Sequence, residues 1–213
     1  MVNIKNLSIT LAGLSLMTIG TALASAPAAL AAVIDFDSLS DFEIVDDQFL
    51  SLGADFNGTA SILQLGSTLN PDFPPVSGNN IIYDNPSLGS GTIRIDAVDS
   101  FWSSVGGFVT GNTNVTLTAY NASNSILGTA STGGANFDGA GTGLLPNIFL
   151  SITYPDISYV TFEDSGNTYT IDNFTFTKSV PEPSVMLGTL LTFAAFSANS
   201  LRKGKRQQVT TKS

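Results

Sequence analysis

Thr92-Ile93-Arg94-Ile95-Asp96-Ala97 alternates polar with apolar residues, and Asn114-Val115-Thr116-Leu117-Thr118-Ala119 does the same further along the chain. Successive side chains of a β-strand point to opposite faces. Ile93 and Ile95 therefore share one face, with Thr92, Arg94 and Asp96 on the other. Val115, Leu117 and Ala119 stand in the same relation to Asn114, Thr116 and Thr118. A helix would distribute these residues around its circumference and leave no dry stripe. Both stretches predict strands with one buried and one wet face, the unit from which antiparallel sandwiches are built.

The two-residue period extends in both directions. Val33 to Phe36, Val45 to Phe56 interrupted at Gly53, Thr59 to Leu65 and Asn80 to Tyr83 precede; Val105 to Thr110, Ser125 to Ala130, Ile148 to Tyr154, Ile157 to Glu163 and Tyr169 to Thr177 surround or follow. Clusters of Gly, Asn, Asp, Ser and Pro separate them, the residues that turns select. Asn70 to Asn79 is proline-rich and too irregular for a sheet interior. Asn121-Ala122-Ser123-Asn124 reads as a hairpin-like turn, and the glycine-rich Ser131 to Gly143 as a flexible loop. Short strands without crossover helices specify an all-β, two-sheet antiparallel sandwich over residues 32–179, with a jelly roll as the first arrangement. An immunoglobulin-like sandwich is the second; its diagnostic cysteines are missing.

Composition removes several chemistries. The chain has no cysteine and no histidine, hence no disulfide framework, no thiolate, no imidazole base and no Ser-His-Asp triad. Between Ala32 and Val180 sixteen carboxylates face only Arg94 and Lys178, a net charge near −14. Phosphate backbones would be repelled at every approach, which excludes nucleic acid as a partner. A surface this acidic instead attracts divalent cations.

The ends read as addresses. Lys5, the uncharged Leu7 to Ala24 and the small-x-small Ala29-Leu30-Ala31 form a signal peptide over residues 1–31, cut by signal peptidase between Ala31 and Ala32; Ala22-Leu23-Ala24 offers a second site. At the other end stand Pro181-Glu182-Pro183, an uncharged run over residues 184–201 long enough for one transmembrane helix, the basic Arg202-Lys203-Gly204-Lys205-Arg206, and a polar tail over residues 207–213. The prolines hold Glu182 on an extended, unpaired segment. Residues 180–206 resemble the PEP-CTERM sorting signal. That resemblance implies processing by an exosortase-type enzyme, transient anchoring in the inner membrane and delivery to the envelope, surface or extracellular matrix of a bacterium.

Within the mature domain, Tyr169-Thr170-Ile171-Asp172-Asn173-Phe174-Thr175-Phe176 carries the most information. Strict alternation puts Asp172 on the face of Phe174 and Phe176, where a carboxylate needs a partner or a metal. The stretch resembles the closing strand of galactose-binding-like, carbohydrate-binding jelly rolls. The resemblance implies a structural calcium at Asp172, with Asp35 or Asp37 of the opening strand as second ligand. The alternative is an Asp172 at a bulge or sheet edge, solvated or bonded to backbone amides. Trp102, Tyr83 and Tyr154 are candidates for stacking on sugar faces, against a buried role for a lone tryptophan. Asp46-Asp47, Glu163-Asp164 and Asp35/Asp37 offer paired acids, but nothing else a hydrolase needs accompanies them. The sequence thus favours an exported, non-enzymatic surface or matrix protein associated with exopolysaccharide. A carbohydrate-binding module with a defined glycan site is the alternative, and a polysaccharide-active hydrolase comes third.

Overall fold

The computed structural model describes residues 31–84, 87, 91–165 and 168–179. The signal peptide up to Leu30, the Pro181-Glu182-Pro183 motif, the segment 184–201 and the basic tail lie outside the described residues. Twelve strands and no helix are found among the latter: β1 (Ala31–Ile34), β2 (Ile44–Val45), β3 (Ala54–Asp55), β4 (Ala60–Gln64), β5 (Asn80–Asp84), β6 (Thr92–Ala97), β7 (Trp102–Gly111), β8 (Thr116–Tyr120), β9 (Ile126–Ser131), β10 (Ile148–Ile157), β11 (Tyr159–Glu163) and β12 (Tyr169–Lys178). They form two antiparallel sheets. The larger runs β10-β7-β12-β5-β4-β2, with β1 also paired to β12, and the smaller runs β3-β6-β11-β8-β9.

The alternation read from β6 is met; in β8 the apolar face is buried as expected, but Thr118, assigned to the wet face, is buried too. Ile93, Ile95, Leu117 and Ala119 are buried, and Arg94 is exposed. The apolar faces of both sheets meet in one core that includes Ile62, Ile82, Val105, Val109, Ile171 and Phe174 from the large sheet and Ile93, Leu117, Val160 and Phe162 from the small one. Phe174 is its hub, with ring centroids 5.9 Å from Phe56, 5.8 Å from Trp102, 6.4 Å from Phe162 and 5.9 Å from Phe176. β1 starts at Ala31, paired with Thr177; the expected cleavage after Ala31 would leave Ala32, Val33 and Ile34 to hold their register with Phe176, Thr175 and Phe174.

β12 is the spine of the large sheet. It pairs with β7 along its length, and on its other side with β5 at Thr170 and Ile171 and then with β1. Its register against β7 moves from Asp172 opposite Phe108 to Thr175 opposite Gly106, which leaves one extra residue on β12. Asn173 absorbs it at φ 49°, in the left-handed region that asparagine tolerates better than most residues. The bulge corrects the face expected for Asp172. Ile171, Phe174 and Phe176 point into the core, whereas Asp172 points out of the sandwich, under the connection between β4 and β5.

Candidate functional site

The β4–β5 connection, residues 65–79, folds over the outer face of the large sheet and is fastened there at several points. Leu69 and Phe73 pack with Ile81, against Leu63 and Phe137. Asp172, only 2 % exposed, accepts the amide hydrogens of Val76 (2.6 Å) and Ser77 (3.0 Å) on Oδ2 and that of Asn173 (2.7 Å) on Oδ1. Burial pushes its carboxyl above the ordinary carboxylate range, while these amides pull it back. Asp37 Oδ1 takes the amides of Asn79 (2.7 Å) and Asn80 (3.0 Å). Gly78, just before them, sits at φ 52°, and a Cβ there would collide with the Asp37 carboxylate, so only glycine fits.

The acids expected to share a cation are therefore only partly brought together. Asp172 and Asp37 clasp the same loop, both oxygens of Asp172 and Oδ1 of Asp37 being engaged by backbone amides, the second of the two roles weighed for Asp172. Asp35 is exposed and accepts the Asp37 amide at 3.2 Å. No group of three or more acidic side chains placed to hold a metal occurs among the described residues.

A second loop, residues 132–147, faces the first. The sequence presents Ser131 to Gly143 as flexible; the structure pins the loop through Asn136, which is fully buried. Asn136 Oδ1 accepts the Gly111 amide (2.8 Å), and Nδ2 donates to the carbonyls of Val109 (2.8 Å) and Leu145 (3.3 Å). Its backbone amide donates to the Gly111 carbonyl. The side chain thus continues the β7 ladder where strand pairing stops. Phe137 then stacks on Phe73 at 6.0 Å and 10°, and Asn147 Nδ2 donates to the Pro74 carbonyl, joining the two loops.

Beside these fastenings lies a cleft of about 340 Å³. Leu63, Leu69, Phe73, Tyr83 and Tyr169 give it apolar and aromatic lining; Thr68, Asn70, Asn112, Thr168 and Thr170 give it hydroxyls and amides. None of its lining residues is charged, although the domain carries sixteen carboxylates. β5 supplies Tyr83, β12 supplies Tyr169 and Thr170, and the 65–79 loop supplies Thr68, Leu69, Asn70 and Phe73. Sequence reasoning reached only Tyr83. Asn70, Asn112 and Thr168 look like ordinary turn residues until the register brings them to one place.

The other stacking candidates lie elsewhere. Trp102 is completely buried, with its ring 4.9 Å from Phe176, and its Nε1 has no hydrogen-bond partner. It is a core residue, not a platform for a sugar, because the bulge-shifted faces of β12 close around it. Tyr154 is 44 % exposed on β10, at an irregularity between Thr153 and Ile157. Arg94 is engaged by Asp96 at 2.8 Å and lies 3.9 Å from the Tyr159 ring centroid.

One carboxylate that the sequence did not single out is anomalous. Asp84, at the end of β5, is 1 % exposed, and neither carboxylate oxygen has a hydrogen-bond partner. Burial first and Asp164 second push its carboxyl up to about 7, and the backbone amides of Tyr169 and of Asp84 itself, close by but outside hydrogen-bond geometry, pull it back only in part.

No family model matches the chain, and no curated protein resembles it. Among solved structures, a DUF4465 family protein from Bacteroides caccae aligns at 11 % identity and TM-score 0.40, over 71 % of this chain and 87 % of that one. A family 29 carbohydrate-binding module from Piromyces equi aligns at 10 % identity and TM-score 0.34, over 72 % and 93 %. Likenesses this distant leave the ligand to be argued from this chain's own residues.

Proposed function

We propose that the domain is a non-catalytic module that binds a neutral glycan in the cleft beside Tyr83. The observation that carries this reading is the lining: hydroxyls and carboxamides interspersed with aromatic and aliphatic surface, without charge. Sugars present that same mixture, with C–H faces that stack on rings and hydroxyls that both donate and accept. A charged ligand would find no counter-charge, and anionic polysaccharides would meet repulsion from the whole domain. The strand order, with consecutive strands repeatedly changing sheets, suits a jelly roll, an architecture that hosts many lectin domains.

Isothermal calorimetry of the purified protein against a panel of neutral and acidic polysaccharides tests the proposal. The expected result is weak binding to a neutral glycan, reduced about tenfold by Tyr83→Ala and similarly by Asn70→Ala, with Tyr154→Ala unchanged. Binding that survives Tyr83→Ala but fails in Tyr154→Ala would move the site to β10 and defeat the cleft. The residues lining the cleft include no carboxylate, so no hydrolysis is expected of the same substrates.

For the protein's destination we propose export through the N-terminal signal, transient retention in the inner membrane and exosortase-type removal of the C-terminal segment. Support comes from the order Pro181-Glu182-Pro183, uncharged run, basic cluster. Protein recovered from the cell surface is expected to lack residues beyond about Ser184, and Glu182→Ala is expected to accumulate precursor in the membrane. Mass spectrometry that finds C-terminal peptides ending at Ser213 in surface fractions would contradict it. A glycan-binding domain so delivered would tie the cell surface to exopolysaccharide.

A further inference from the structure

We infer that Asp84 and Asp164 hold a divalent cation of the calcium type at the end of the sandwich where β5 and β11 terminate. This inference does not depend on the glycan reading, and it lies on the opposite face of the large sheet from Asp172.

The starting point is an unbalanced charge. Asp84 is on the inner face, buried, with both oxygens orphaned. Buried carboxylates in folded proteins are normally met by amides, hydroxyls or cations, as Asp172 and Asp37 are here, and an unmet one calls for an unseen partner. The neighbouring Tyr169 hydroxyl is unavailable. Tyr169 stands next to Asp84 across the β5–β12 pair, but its hydroxyl donates to the Phe162 carbonyl (2.6 Å) and accepts the Ile93 amide (3.0 Å). An acidic neighbour makes matters worse. Asp164, just past β11, acts on Asp84 as a like charge, and is itself held by the Thr113 hydroxyl (3.0 Å) and the Thr168 amide (3.4 Å).

No cationic side chain of the domain can resolve this. Arg94 is committed to Asp96, and Lys178 ends β12, at the far end from Tyr169, with its chain against Gly53. Apart from a proton on Asp84 itself, a cation from solution is the remaining counter-charge. The donors available are oxygens only, since the chain has no histidine or cysteine. That selects a hard cation and disfavours zinc or copper. With two carboxylates supplied, backbone carbonyls and water must complete a shell of six to eight oxygens, which places affinity at the weak end for calcium, about 10⁻⁴ M or weaker.

The test uses the full-length protein. Millimolar calcium against chelator is expected to raise the melting temperature by about 5 °C. Asp84→Asn should abolish that rise while melting higher than the unsubstituted protein in chelator, because it removes the unmet charge. Asp164→Asn should weaken the calcium response, and Asp172→Asn should keep it. Terbium in place of calcium is expected to show luminescence sensitised by Tyr169 that Asp84→Asn loses. Should Asp84→Asn not fold, the terbium signal of Asp164→Asn, reduced in affinity about tenfold or more, decides the matter. A melting temperature indifferent to calcium and magnesium, with no terbium signal, would overturn the site. So would a response lost in Asp172→Asn and retained in Asp84→Asn.

Discussion

Asp172→Ala is expected to lower unfolding stability by about 2–3 kcal/mol and to weaken any ligand held in the cleft. The Ala variant removes the acceptor for three backbone amides, those of Val76, Ser77 and Asn173. Each bond to a charged acceptor contributes about 1.5–3 kcal/mol, and leaving a buried donor orphaned costs a similar amount. Two effects offset part of the loss. The Asp172 carboxyl is already disfavoured by burial, and the freed Val76 and Ser77 amides can turn to water, since the side chains of both residues are partly or fully exposed. Asp172→Asn should lose less, because one carboxamide oxygen still serves Val76 and Ser77. Urea denaturation checks the stability. A midpoint shift with an unchanged slope reports stability alone, whereas a changed slope reports a native state in which the 65–79 loop has come away. Unaltered stability in the alanine variant would mean that the loop is held by Phe73 and Asn147 without the clasp.

What the sequence disclosed, and what it concealed, follows from which interactions are periodic. Ile93/Ile95 and Val115/Leu117/Ala119 revealed their faces because a half-buried strand repeats every second residue. That was enough to predict an antiparallel two-sheet protein. The same rule misplaced Asp172, because a single extra residue at Asn173 reverses the faces beyond it. A bulge leaves no mark on the pattern except a residue that accepts positive φ, and Asn173 was such a residue. β7 and β10 proved longer than predicted because pairing continues through Ser104 opposite Thr153 and, past an irregularity, Trp102 opposite Ile157. The cleft was the least legible part. Its residues come from β4, β5, β12 and three connections, so only the three-dimensional register assembles them. Trp102 could have been platform or core from sequence alone; its place between Phe174 and Phe176 decides for core.

Asn136 gives the other large expected effect, and it tests whether the glycine-rich 132–147 loop is structural. Asn136→Asp keeps the side chain's shape and changes only what one atom can do. The nitrogen that donates to the carbonyls of Val109 and Leu145 becomes an oxygen, facing two other oxygens in a place with no exposure to water. An ionised aspartate there is a buried, unpaired charge, with an expected cost of about 3–5 kcal/mol at neutral pH. Protonation relieves it in part, because a carboxylic acid can donate one of the two lost bonds. The sign follows directly. The introduced carboxyl has a folded-state pKa raised above its unfolded value near 3.9, so the variant comes closest to wild-type stability below that value and loses ground as pH rises through the folded pKa. Asn136→Ala provides the comparison. It leaves the Gly111 amide and the Val109 carbonyl unmet, at an expected cost of about 2–3 kcal/mol, with no pH dependence of its own. Denaturation midpoints for both variants between pH 4 and 8, with hydrogen exchange at the Gly111 amide, distinguish the cases. If Asn136→Asp tracked Asn136→Ala at every pH, the side chain would be reaching water, and the loop would be as loose as its five glycines suggest. If it diverges with rising pH, the stack of Phe137 on Phe73 rests on a buried polar anchor, and the cleft wall is held from both loops.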